Sequence, residues 1–169
     1  MWCLNINFTM TSYPYAMAPQ GAVVKKSGIE PTMMAHTGPA VVFDSEEEVR
    51  KYLLETQIRP GSVLVVRYEG PKGGPGMREM FTAMKLLYGR GLADKTALIT
   101  DGRFSGTNNG CFVGHISPEA AEGGPLAIVR DGDVITVDVP GRSLHLHVSD
   151  EQIKLRLAEW RRPAPKFKN

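Results

Sequence analysis

The apolar positions of this chain fall into short blocks separated by glycine, proline and acidic residues, and the blocks alternate between two spacings. Ala22-Val23-Val24, Pro39–Phe43, Ser62–Tyr68 and Thr96–Thr100 are brief apolar runs, most of them rich in β-branched residues, and they predict strands. Val49, Tyr52 and Leu53 instead recur at helical spacing. Before them lies Asp44-Ser45-Glu46-Glu47-Glu48, where Ser45 and Glu48 fit a capping box and the acids suit the positive end of the helix dipole. Met77, Met80, Phe81, Met84 and Leu87 make a second helical stripe, which reads as core packing and puts Glu79 in a first helical turn.

Leu126–Arg130, Val134–Val139 and Ser143–Val148 predict three further strands, with turns at 131–133 and 140–142. In the last of them Leu144, Leu146 and Val148 face inward while His145 and His147 face outward. Ser149 and Gln152 cap a final helix with Ile153, Leu157 and Trp160 on one face. About seven short strands and three helices predict an α+β domain: a β-barrel-like curled sheet with helices packed outside. Lys25–Gly38 reads as a loop, and Ser117-Pro118-Glu119 as a helix start. Residues 1–20 show neither period and read as a loosely ordered leader; 21–160 is the expected domain and 161–169 a basic tail that frays from Pro163.

Composition narrows the class without naming a function. At 169 residues the chain is one domain with a real core, and 42% hydrophobic with 22% charged residues is ordinary for a soluble globular protein. Twenty Lys and Arg against 18 Asp and Glu leave a net charge of +2 with no basic cluster, which argues against a nucleic-acid binder. No run reaches the length of a membrane span and no secretory leader is evident, so a cytoplasmic protein is expected. Cys3 and Cys111 are too few and too far apart for a disulfide framework or a zinc site. Cys111, in an apolar setting, is expected to be a buried structural thiol.

Candidate chemistry gathers in two loops. Residues 70–80 are rich in glycine but lack the Gly-Lys-Ser/Thr ending of a phosphate loop, so Glu79 is their main candidate, either as a functional carboxylate or as a surface acid complementing the helix dipole. Residues 98–124 carry Asp101, Arg103, Ser105, Thr107, Asn108 and Asn109 among glycines that let a backbone approach a ligand. Gly-Arg-Phe-Ser-Gly misses the hydrolase elbow by one position, although His115 follows. Ser105 could instead lose its proton and serve as a base, or simply cap a turn beside an Asp101–Arg103 ion pair. His145 and His147 could chelate a metal, but with no third ligand nearby they read as a solvated strand face.

At these residues a family resemblance emerges. Asp101-Gly102-Arg103-Phe104-Ser105-Gly106, Gly114-His115-Ile116-Ser117-Pro118-Glu119-Ala120, Gly123-Gly124-Pro125 and Gly73–Met80 together resemble the signatures of the dihydroxy-acid dehydratase / phosphogluconate dehydratase family. The resemblance runs over about residues 21–160 and is closest to the family's C-terminal, swivelling domain. It implies a hydro-lyase that converts 2,3-dihydroxy acids or sugar acids to 2-keto acids. It implies Ser105 as the base, Glu79 as a magnesium ligand, and Thr107 and Arg103 as substrate contacts. Residues 105–111 lean toward a sugar-acid member.

The family also uses an iron–sulfur cluster, whose cysteines lie in an N-terminal domain; Cys3 and Cys111 do not correspond to them. The chain is therefore expected to carry part of a site, to be inactive alone and to need that domain or a partner subunit. The alternatives are a non-catalytic domain that binds a small acid or another subunit, with homo-oligomerisation through its exposed apolar face, and a serine hydrolase using Ser105 with His115.

Overall fold

A computed structural model describes residues 2–6, 21–74, 76–105, 109–164 and 166. Its strands are β1 (Trp2–Ile6), β2 (Gly21–Val24), β3 (Ala35–Phe43), β4 (Val63–Val66), β5 (Ala97–Thr100), β6 (Phe112–Ser117), β7 (Val134–Asp138) and β8 (Ser143–Leu146). Its helices are α1 (Glu46–Glu55), α2 (Phe81–Gly89) and α3 (Asp150–Glu159). The strands from β2 to β8 form a curled mixed sheet in the order β2-β6-β5-β4-β3-β7-β8, and β1 bridges its two ends to close a barrel. The expected α+β, barrel-like architecture is present.

The apolar runs of β4 and β5 are continuous because both faces of these strands are covered. Val63, Val65 and Ile99 point into the barrel, where they meet Val113, Ile135 and Leu144. Leu64, Val66 and Leu98 point outward against Val49 and Leu53 of α1 and Met84 and Leu87 of α2. Of the stripe read as core, Met80, Met84 and Leu87 are buried, whereas Phe81 is exposed to solvent and Met77 is partly buried ahead of the helix. Each such buried side chain contributes about 1.5–3 kcal/mol, so the outer cluster fastens both helices to the parallel strands. Ser45 Oγ accepts from Glu48 N at 3.2 Å and Ser149 Oγ from Gln152 N at 3.4 Å, so both predicted caps form.

Several elements differ from the sequence expectation. Leu126–Arg130 is not a strand: a 3₁₀ turn covers Pro125–Ile128. The carbonyls of Leu126, Ala127 and Val129 all accept from Arg67 Nη1, so they are spent on a side chain and not on a neighbouring strand. Ser117-Pro118-Glu119 opens only a short 3₁₀ turn, Ala120–Glu122. The loop assigned to Lys25–Gly38 holds two 3₁₀ turns and then β3, which pairs with β7 from Ala35 onward. In the region read as a leader, Trp2–Ile6 is a strand, antiparallel to β2 and parallel to β8; residues 7–20 lie outside the described residues. Within the segment read as a basic tail, Arg162 pairs with Glu122 and Lys166 Nζ lies 3.2 Å from Glu69 Oε1. No helix among the described residues is long and apolar enough to cross a membrane.

Candidate functional site

Strands β4 and β5 are parallel neighbours in register, with Val66 opposite Thr100, so both end at one level. The described residues of the loops leaving them, 67–74 with 76–80 and 101–105, share the carboxyl edge of the sheet, the usual place for a ligand in parallel strands. Asp101 fastens these loops together. Its buried carboxylate accepts from Tyr68 N at 3.1 Å, Glu69 N at 2.9 Å and Ala120 N at 2.8 Å. Burial pushes the Asp101 carboxyl up from 3.8 to about 6, against the pull of those amides.

One step along the chain, Arg103 N donates to Arg78 O at 3.0 Å and Met80 N donates to Arg103 O at 2.9 Å. These bonds form a parallel bridge that sets Glu79 beside Arg103. The bridge also corrects the sequence picture of Glu79: residues 77–79 precede the helix, Met77 has a φ of 59°, and α2 begins at Phe81. Gly102 makes the close approach possible, since a Cβ there would lie 2.7 Å from Arg78 O. Ser105, half-buried, follows Arg103 by two residues. Thr107 and Asn108 lie outside the described residues.

The Asp101–Arg103 ion pair considered from the sequence does not form. Asp101 serves the three amides, while exposed Arg103 directs Nε to Met77 O at 2.8 Å. The glycine-rich loop is likewise committed. Lys72 N and Gly73 N both donate to the buried Glu119 carboxylate, at 2.8–3.1 Å, and a Cβ on Gly70 would meet Glu119 Oε2 at 2.6 Å. A loop whose amides already hold a carboxylate is not a phosphate cradle. Arg78 bonds to Glu46 at 3.4 Å and to Glu47, which ties the same loop to the start of α1.

Sequence reasoning missed Glu69 and Glu119, two of the buried acids that shape this edge. An acid directly after an apolar run, before Gly70-Pro71, was the available signal for Glu69; the helix-start reading concealed Glu119. The remaining candidates sit elsewhere or do other work. His115 is exposed with a φ of 55°, and its N–H donates to Gly102 O at 2.8 Å. His145 and His147 meet edge-on at 4.5 Å near the β7–β8 hairpin, and His147 Nε2 lies 2.8 Å from Thr136 Oγ1.

Magnesium takes about six oxygens. Among the described residues no group of three or more His, Cys, Asp or Glu could hold a metal ion, so Glu79 is a donor of the right kind but not a site. Cluster ligation needs thiolates, and burial pushes the Cys111 thiol up to about 12. The described residues therefore do not fit an iron–sulfur cluster.

Residues 15–169 match the family described as dihydroxy-acid/6-phosphogluconate dehydratase C-terminal, and the chain belongs to it. The chain is 57% identical over 152 residues to a dihydroxy-acid dehydratase of Carboxydothermus hydrogenoformans, covering 90% of this chain and 28% of the relative. It is 55% identical over 152 residues to that of Caldanaerobacter subterraneus, covering 90% and 27%, and 53% identical over 151 residues to that of Acetivibrio thermocellus, covering 89% and 27%. The chain thus spans little more than a quarter of the length of these relatives.

Proposed function

We propose that this chain supplies the proton-abstracting half of a dehydratase site that converts a 2,3-dihydroxy acid to a 2-keto acid. Ser105 Oγ, having given up its own proton, takes the proton from C2 of the substrate. The C3–O bond breaks, the departing hydroxyl takes up a proton from solvent to leave as water, balancing the one Ser105 released beforehand, and the enol so formed tautomerises to the 2-keto acid. Arg103 and Thr107 hold the substrate carboxylate and hydroxyls, since a guanidinium suits a carboxylate and a hydroxyl can both donate and accept. Glu79 contributes one oxygen donor to a magnesium whose other ligands come from outside this chain. When bound, the ion would stabilise the negative charge that develops as the C2 proton leaves.

The observation that carries this reading is the Glu79–Arg103 bridge, which holds the loop of the metal donor against the loop of the base. The relatives are named dihydroxy-acid dehydratases, which favours the branched-chain 2,3-dihydroxy acids over the sugar acids that residues 105–111 suggested.

Mixing tests the proposal. The purified chain alone is expected to give no 2-keto acid from 2,3-dihydroxyisovalerate. Adding the Carboxydothermus hydrogenoformans relative with its matched 152 residues removed should restore turnover. Turnover by the chain alone, or none on mixing with a partner shown to bind it, would overturn the composite-site reading.

A further inference from the structure

The segment after α3, which composition reads as a solvated basic tail, returns to the site edge at several points. Trp160 packs over Gly123, where a Cβ would lie 3.1 Å from its ring, and its Nε1 donates to Tyr68 Oη at 3.3 Å. Arg162 pairs with Glu122, and Lys166 Nζ reaches Glu69 Oε1 at 3.2 Å. The last contact is unusual in kind, since Glu69 is fully buried.

Glu69 lies where three parts of the site edge meet. Its Oε1 accepts from Glu46 N at 2.8 Å at the start of α1. Its main-chain oxygen accepts from Arg78 N at 3.1 Å, next to Glu79. Gly74 turns back onto it so tightly that a Cβ there would lie 2.8 Å from Glu69 Cα. A buried carboxylate is costly unless paired, and its Oε2 has no hydrogen-bond partner among the described residues. The groups that compensate the charge are therefore the Glu46 amide and the Lys166 ammonium, with Arg78 adding attraction from nearby.

We propose that Glu69 and Lys166 form a latch: Glu69 is a positioning residue for the loop that carries Glu79, and the C-terminal segment holds it there through Lys166. The role assigned to Glu79 rests on the dehydratase reading above; the latch itself does not. Removing the ammonium leaves the carboxylate under-compensated, so the amides that Glu69 holds should open more often.

Amide hydrogen exchange on the full 169-residue chain tests this directly. Lys166→Met should speed exchange at the Glu46 and Arg78 amides by roughly tenfold, and Lys166→Arg should restore the parent rates. In a Glu69→Gln background, where position 69 carries no charge for Lys166 to compensate, Lys166→Met should change neither amide further. Parent-like exchange in Lys166→Met, or an equal acceleration in the Glu69→Gln background, would overturn the latch. In the mixed, active enzyme, Lys166→Met should raise the magnesium concentration needed for half-maximal turnover while leaving kcat at saturating magnesium unchanged. A fall in kcat at saturation with an unchanged magnesium requirement would overturn the positioning of Glu79. The exchange result stands whether or not Ser105 is the base, so the two readings fail separately.

Discussion

Glu79 and Arg103 sit side by side because a single parallel bridge, two main-chain hydrogen bonds long, joins the loops after β4 and β5. No side-chain contact between them is needed for this. The relationship is fixed by backbone, and it depends on a missing Cβ at Gly102.

Gly102→Ala therefore puts a methyl group 2.7 Å from Arg78 O and 3.2 Å from Glu69 Cβ, where the backbone must shift to admit it. The expected cost is about 1–3 kcal/mol of unfolding free energy, of the size seen on overpacking. Urea unfolding measures it, and the substitution should also speed exchange at the Arg103 amide, which donates across the bridge. An unchanged midpoint together with unchanged exchange would show that the bridge tolerates a side chain.

Asp101 predicts a pH dependence of known sign. Burial raises its folded pKa from 3.8 to about 6, so the native state binds the proton more tightly than the unfolded chain does. Its contribution to stability is full below about pH 4 and is lost as the pH rises through about 6. Asp101→Asn lacks that titration. Between pH 4 and pH 7 the parent should lose roughly 2 kcal/mol relative to the variant, because each tenfold gain in proton affinity on folding is worth about 1.4 kcal/mol and part of the effect lies below pH 4. Urea unfolding of both proteins at the two pH values gives the difference; a gap that is constant with pH would contradict the assignment.

The parallel strands, both helix caps and the β7–β8 hairpin were legible in the sequence because local spacing and turn chemistry dictate them. Ser105 and Glu79 could be singled out for similar reasons, being polar residues on glycine-rich stretches at strand ends. What could not be read was long-range. Trp2–Ile6 becomes a strand by bridging β2 and β8, and its own pattern does not announce that. The block at 126–130 looked like a strand until Arg67, some sixty residues earlier, took its carbonyls. Asp101 looked like a site acid or half of an ion pair and Glu119 like part of a helix start, yet each is used to hold amides of the neighbouring loop. Residue type told which positions carry chemistry; only the pairing told which of them the fold had already committed.

Cys111 is fully buried, with its thiol pushed up to about 12. At pH 8 it should stay unmodified by iodoacetamide in the native chain and react fully in denaturant, as peptide mass mapping would show. Labelling of native Cys111 at the rate of an exposed thiol would contradict the buried placement and reopen its role as a ligand.

The central claim is that Ser105 is the base of a site completed by another part of the enzyme. Its most direct test is 2-keto acid formation by the mixed enzyme carrying Ser105→Ala, with circular dichroism showing the fold retained. Loss of a positioned base should lower turnover by about 10²–10⁴-fold while association with the remainder of the enzyme is unchanged. Parent-level turnover in Ser105→Ala would contradict the account.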